Sequence, residues 1–255
     1  MTVRKQQDKE TVNWSPLEAV AITLALYFGS QILAGITLGL IAGGMGWDDQ
    51  RLNQELDRPA WQFLYVLIIE VLSVGLLYVF IKRRKTNWAA IGWVKPRLQD
   101  VGYALTGFAI YFGIYALVVS KLVSSLLPQI DTDQKQELGF ETAIAGPELI
   151  FVFISLAILP PLVEEIMVRG FLYTGLRNRL PIIWAAIIAS IVFAAAHLQW
   201  GSGNALLWTA AIDTLVLSFV LIWLRQKTGS LWPSIGLHFI KNGLAFMALY
   251  VFKIT

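Results

Sequence analysis

The sequence of 255 residues contains no cysteine, which excludes a thiol nucleophile, a disulfide framework and thiolate ligands for a metal. Charge is scarce as well, since charged residues make up 15% of the chain and the formal net charge is +3. Such a small positive excess gives no indication of nucleic-acid binding. The chain also lacks a Gly-x-Ser-x-Gly sequence for a serine nucleophile and a His-Glu-x-x-His sequence for a zinc enzyme.

Long apolar segments make up most of the chain. Hydrophobic residues account for 56% of the chain and the mean hydropathy is +0.63, more than a soluble domain of this size can expose. A membrane-spanning helix needs about 20 apolar residues. We therefore predict an all-α, polytopic transmembrane helix bundle with seven spans, or eight if Pro160 and Pro161 divide the fourth. The predicted segments are 17–46, 60–81, 100–127, 147–176, 181–199, 205–224 and 230–252.

Basic residues cluster in alternate loops, a pattern that predicts which side of the membrane each loop faces. The basic loops carry Arg4, Lys5 and Lys9; Lys82, Arg83, Arg84, Lys85, Lys95 and Arg97; Arg177 and Arg179; and Arg225 and Lys227. The intervening loops are mainly acidic. One holds Asp48, Asp49, Glu55 and Asp57 against Arg51 and Arg58, and the other holds Asp131, Asp133, Glu137 and Glu141 against Lys135. We expect a cytoplasmic N-terminus, an external C-terminus and the plasma membrane of a prokaryote.

Ionisable residues inside the predicted spans are costly and therefore indicate function. Glu165 and Arg169 lie four residues apart, so on a helix they can form an ion pair. Glu164 is rotated about 100° from Glu165 and points elsewhere, where an unpaired carboxylate could act as a general base. The competing interpretation is an ion pair that packs helices while the second glutamate reaches toward the interface.

Two further polar motifs follow. Phe193-Ala-Ala-Ala-His197 places one histidine in a span, where it acts either in catalysis or in helix packing. His238 and Asn242 share one helical face and could donate hydrogen bonds to an oxyanion, or to a neighbouring helix. Lys241 lies on a different face and could pair with Asp213 or reach a lipid headgroup.

Taken in order, these motifs resemble the CAAX protease and bacteriocin-processing family, which includes the type II CAAX prenyl endopeptidases. The matching residues are Glu164-Glu165-x-x-x-Arg169, Phe193-x-x-x-His197 and His238-x-x-x-Asn242, within about residues 147–250. The residue before the motif arginine is commonly Phe in this family and is Val168 here, which concerns local packing more than chemistry.

The resemblance implies an intramembrane, glutamate-dependent endopeptidase that acts on a membrane-associated or lipidated peptide. In this interpretation Glu164 activates water with help from His197, and His238 and Asn242 stabilise the oxyanion. Glu165, Arg169 and Phe193 support the site. The chain then divides into N-terminal transmembrane helices, residues 1–146, and catalytic helices, residues 147–255, within one membrane unit.

Other hypotheses remain open at this stage. We expect no cofactor, but Glu164, His197 and His238 could instead bind zinc. The same intramembrane residues could serve a proton-coupled transporter, although the sequence shows no inverted repeat. A non-catalytic scaffold or immunity protein could also retain them for structure. The expected partners are a peptide or lipidated peptide and membrane lipid, and no nucleic acid.

Overall fold

The computed structural model describes residues 12–131, 134, 140, 146–199 and 205–253. No strand occurs among these residues. The helices are α1 (Pro16–Gly44), α2 (Asp49–Leu56), α3 (Pro59–Arg83), α4 (Leu98–Leu126), α5 (Glu148–Arg177), α6 (Ile182–Ala196), α7 (Trp208–Thr228) and α8 (Trp232–Val251).

Six of these helices, α1, α3, α4, α5, α7 and α8, are long and apolar enough to cross a membrane. The predicted fold class, an all-α polytopic bundle, is confirmed. The predicted segment 181–199 contains a shorter helix, since α6 has 15 residues. At 1.5 Å per residue it is about 22 Å long, less than the roughly 30 Å of a hydrocarbon core. It ends immediately before His197.

The fourth predicted span is one helix and not two, because α5 continues through Pro160 and Pro161. Two π-helical stretches interrupt its regular geometry, Ile154–Ile158 just before the prolines and Glu165–Leu172 after them. Proline has no N–H, so helical bonds to the preceding turn are lost there. The wider π turns absorb this defect without breaking the helix.

Helix α5 lies among the other spans and carries much of the largest apolar core. Phe171 and Leu172 are fully buried, and the Trp14 ring stacks on Phe171 with centroids 4.9 Å apart. Gly175 permits this approach, because a Cβ there would lie 2.4 Å from the Trp14 indole nitrogen. The outward faces of α1, α3 and α4 expose large apolar side chains, as lipid contact requires.

The loops that follow α3, α5 and α7 meet the segment before α1 at one end of the bundle. Asn178 donates to the Val12 carbonyl at 2.9 Å, and Asn13 donates to the Arg84 carbonyl. Trp232 donates to the Val94 carbonyl at 2.6 Å. These are the loops in which the basic residues cluster. Of the charges used to predict orientation, Arg4, Lys5, Lys9, Asp133, Lys135, Glu137 and Glu141 lie outside the described residues.

Candidate active site

A fully buried charge cluster forms where α5 packs against α8. Arg169 Nη1 and Glu165 Oε1 are 3.0 Å apart and neither side chain is exposed, so the predicted ion pair is confirmed. His238 Nδ1 lies 3.0 Å from the same Glu165 oxygen. Two donors from different helices therefore share one carboxylate oxygen, and this shared contact fixes the rotation of the His238 ring.

Glu164 differs from its neighbour in that its side chain is 27% exposed. Its Oε2 atom faces His238 Nε2 at 3.8 Å and has no hydrogen-bond partner among the described residues. The charge of Glu70, on α3, acts on this carboxylate as a like charge. Glu164 is thus the less constrained of the two carboxylates, and it lies beside an imidazole that the other one holds in place.

The tautomers of both histidines follow from their partners. An ionised carboxylate can only accept, so Nδ1 of His238 donates to Glu165 and Nε2 is directed toward Glu164. His197 Nδ1 lies 2.9 Å from the Phe193 carbonyl, which also can only accept. In the neutral rings, Nε2 of both His197 and His238 therefore carries a lone pair.

The Phe193 ring joins the second motif to the buried cluster. The Arg169 guanidinium lies over this ring at 4.1 Å from its centroid, a cation–π contact. The rings of His197 and His238 meet it edge to face at 4.8 and 6.0 Å. Phe193 thus separates the Arg169 charge from His197 and sets the relative positions of the two imidazoles.

Asn242 is fixed by the proline defect of α5. Its side-chain amide donates to the Leu156 carbonyl at 2.9 Å. In a regular helix that carbonyl would accept from residue 160, which is a proline and has no N–H. Asn242 supplies the missing donor from α8. One of its two amide hydrogens therefore binds a neighbouring helix, as one of the two interpretations of this motif expects. The second hydrogen remains for another acceptor.

Sequence reasoning missed the surroundings of three polar groups near the site. Tyr27 of α1 donates to the Ala196 carbonyl at 2.9 Å, which anchors the end of α6 just before His197. Glu70 lies near Glu164, as described above. Tyr111 donates to Asp213, and Asp213 forms the predicted pair with Lys241 at 3.0 Å. A polar residue within an apolar run was the available signal, but its partner could not be read from the sequence.

Among the described residues, no group of three or more His, Cys, Asp or Glu side chains is arranged to hold a metal ion. Nδ1 of both histidines is occupied by another partner, and the facing pair, His238 Nε2 and Glu164 Oε2, supplies two donors. The Glu164, His197 and His238 set suggested from the sequence thus does not form a three-ligand site in this arrangement.

Comparison with known proteins identifies the region that contains these motifs. Residues 146–244 match the family model described as type II CAAX prenyl endopeptidase Rce1-like. We refer to residues 146–244, which are similar to this family model, as the Rce1-like region. The match spans α5 to most of α8, so the Rce1-like region contains every residue of the cluster described above.

A curated relative extends the similarity beyond the Rce1-like region. It is an uncharacterized protein of Mycoplasma capricolum, 26% identical over 206 residues, which cover 74% of this chain. The chain spans 57% of the length of that relative. No solved structure matches the chain.

Proposed function

We propose that this protein is a glutamate-dependent intramembrane endopeptidase that hydrolyses a peptide bond of a membrane-associated or lipidated peptide. The observation that carries the proposal is the difference between two adjacent carboxylates. Glu165 is closed within a buried network, whereas Glu164 is partly exposed and faces an imidazole. Hydrolysis needs a proton acceptor, a positioned water and a charge stabiliser, and the cluster supplies candidates for each.

Glu164 is the proposed general base. A water molecule beside Glu164 loses a proton to the carboxylate while the water oxygen attacks the scissile carbonyl. The carboxyl group then returns that proton to the leaving amine. His197 helps to hold the water, because its Nδ1 is tied to the Phe193 carbonyl and the Nε2 lone pair can accept a hydrogen bond. Its edge-to-face contact with Phe193 limits rotation of the ring.

His238 and Asn242 are the proposed oxyanion donors. For His238 to donate through Nε2, the ring must carry both protons while Nδ1 donates to the Glu165 carboxylate at 3.0 Å. Asn242 would use the amide hydrogen that does not bind Leu156. Fixed donors in a water-poor site stabilise a developing negative charge strongly, because they need no reorganisation during the reaction.

We further propose that the end of the bundle where the basic loops meet faces the cytoplasm. The contacts among these loops gather most of the described lysines and arginines on one side, as positive-inside orientation requires. A peptide would then reach the site from the cytoplasmic side or laterally from the bilayer. The proposed mechanism needs no metal.

The deciding experiment compares the wild type with the Glu164→Gln variant in detergent. Both are incubated with matched prenylated and unprenylated peptides, with and without a chelator. Cleavage that is lost in the variant and retained with chelator is the expected result. Cleavage lost on chelation and restored by zinc would favour the metal-dependent alternative. Equal cleavage by both proteins would remove Glu164 from the mechanism.

A further inference from the structure

A polar cluster that the proposed mechanism does not use lies where the basic loops meet, near the C-terminal ends of α5 and α7. Its centre is Tyr173, which is 3% exposed and whose hydroxyl donates to Gln226 Oε1 at 2.9 Å. The charges of Arg177, from α5, and Arg225, from α7, both act on this hydroxyl. Two guanidinium groups from helices distant in sequence therefore converge on one buried side chain.

The loop after α3 helps to hold Arg225 in this position. Gly92 has a positive φ of 88°, and a Cβ there would lie 2.6 Å from Cζ of Arg225. Glycine permits both the left-handed backbone and this close approach. The Gly92 carbonyl also accepts from the Leu231 N–H at 3.0 Å. The Arg225 guanidinium is therefore packed at a junction of α7, the loop after α3 and the start of α8.

Hydrogen-bond donors outnumber acceptors in these four side chains. A guanidinium has five N–H donors and no acceptor. Arg177 uses one of them on the Leu180 carbonyl at 2.6 Å, as a cation near a helix C-terminus commonly does. Gln226 accepts from Tyr173 through Oε1, so its NH₂ group remains to donate. The cluster therefore has donors for a ligand that accepts several hydrogen bonds.

The charge of the expected ligand follows from a comparison with another arginine at the same end of the bundle. Arg84 pairs with Glu18, whereas no acidic side chain in the part of the chain that the structure describes forms an ion pair with Arg177. Guanidinium groups bind phosphate and carboxylate oxygens through paired N–H donors. A phosphate group supplies both the negative charge and several acceptor oxygens.

Aromatic side chains indicate the depth of the cluster in the membrane. Trp93 follows Gly92 and packs against Trp232, with ring centroids 4.9 Å apart. Trp223 of α7 is 40% exposed, and Lys227 Nζ lies 5.7 Å from its ring centroid. Tryptophan and lysine favour the boundary between lipid tails and headgroups. Basic pockets between helices bind anionic headgroups at this depth in other membrane proteins. The position therefore favours the phosphate of a lipid over a free phosphate.

We propose that Arg177, Arg225 and Gln226 bind the phosphate group of an anionic phospholipid between the ends of α5 and α7. The lipid bridges α5, which carries Glu164 and Glu165, to α7 and stabilises the contact between the two helices. This site is separate from the proposed peptidase function and does not depend on it. The same donors fit a free phosphate, so the experiment compares the two sources.

The experiment measures ligand binding in a neutral detergent. Binding of phosphatidylglycerol is titrated by native mass spectrometry, with phosphatidylcholine and glycerol 3-phosphate as comparison ligands. We expect phosphatidylglycerol to bind at least about 10-fold more tightly than either, and Arg177→Gln with Arg225→Gln to remove most of this preference. Arg83→Gln with Lys85→Gln removes the same charge from two exposed residues at this end and should leave the preference unchanged.

Thermal unfolding gives a second measurement for variants of lower stability. A lipid that bridges two helices should raise the unfolding midpoint, and each protein is compared with its own midpoint in detergent alone. The wild type should show this shift with phosphatidylglycerol, and Arg177→Gln with Arg225→Gln should lose it. Arg177→Lys with Arg225→Lys keeps both charges but not the paired donors, so it should retain part of the shift.

Three results would overturn the proposal. An unchanged preference after both arginines are replaced would remove them from the site. An equal loss in the variant of Arg83 and Lys85 would show that the general positive charge of this surface attracts the lipid. Glycerol 3-phosphate that binds as tightly as phosphatidylglycerol would identify a site for a soluble phosphate and not for a lipid.

Discussion

The bundle holds two intramembrane ion pairs that have different surroundings, although the α8 residues that take part in them, His238 and Lys241, are only three positions apart. The Glu165–Arg169 pair is completely buried and gains His238 as a third member. The Asp213–Lys241 pair is partly exposed and borders a cavity. We call the first the closed pair, which fixes the rotation of the His238 ring, and the second the open pair, whose two members line the cavity. Burial therefore distinguishes the two pairs, although both join an acidic and a basic side chain at 3.0 Å.

The largest expected effect is on catalysis. Replacing Glu164 by Gln removes the proposed proton acceptor and should lower the rate of peptide cleavage by about 10²–10⁴-fold. The thermal unfolding midpoint in detergent should change little, because the polar contact of Glu164 within the described part of the chain is a long one, with His238 at 3.8 Å. A variant that loses activity and unfolds readily would instead indicate that Glu164 is part of the buried framework.

The closed pair should show the largest effect on stability. Arg169→Met leaves the Glu165 charge buried without its cation and should lower the free energy of unfolding by about 3–5 kcal/mol. The double variant Arg169→Met with Glu165→Leu removes both charges and should recover much of that loss without recovering activity. Denaturant titration in mixed micelles measures the free energy of unfolding of the single and the double variant. A double variant no more stable than Arg169→Met would show that the charge left behind was not the cause.

The contact between Asn242 and the proline-interrupted turn of α5 should have an intermediate effect on the free energy of unfolding, and a double-mutant cycle can test it. Asn242→Ala leaves the Leu156 carbonyl without its side-chain donor and should cost about 1–3 kcal/mol. In a Pro160→Ala background, residue 160 regains an N–H for that carbonyl, so the same substitution should cost less. If Asn242→Ala lowers the free energy of unfolding equally with Pro160 and with Ala at that position, the role of Asn242 does not depend on the proline.

The open pair should show the smallest effect on stability. Lys241→Met should lower the free energy of unfolding by less than about 1 kcal/mol, because the pair is partly exposed and Tyr111 still donates to Asp213. Unfolding of this variant, measured beside Arg169→Met, tests the comparison directly. A loss as large as that of Arg169→Met would mean that the two pairs are equivalent and that the second is structural.

Hydropathy predicted the bundle well, because lipid exposure requires apolar side chains along whole helices. The segment 181–199 was less well defined, since its apolar run extended beyond the end of α6 at Ala196. The continuity of α5 through Pro160 and Pro161 could not be predicted either. It depends on two π-helical stretches and on a donor from α8, which are not encoded in the local pattern.

Spacing also predicted the contacts within a single helix, and the Glu165–Arg169 pair follows from a separation of four residues alone. Contacts between helices required the folded bundle. Glu164 and Glu165 are adjacent in the sequence, and they differ in burial and in contacts. The difference arises because α8 places His238 3.0 Å from Glu165, while the Glu164 side chain stays partly exposed. The catalytic roles of Glu164, His197, His238 and Asn242 stay predictions that the variants above test.

The sequence by itself determined that this chain belongs in a membrane, roughly where its helices lie, and that the Glu165–Arg169 pair can form. These features depend on composition and on helical periodicity, which are local properties of the chain. The tertiary structure decided which carboxylate remains accessible, which nitrogen each histidine presents and which ion pair borders the cavity. Each of these depends on the distance and rotation between helices distant in sequence, which packing sets and hydropathy does not record.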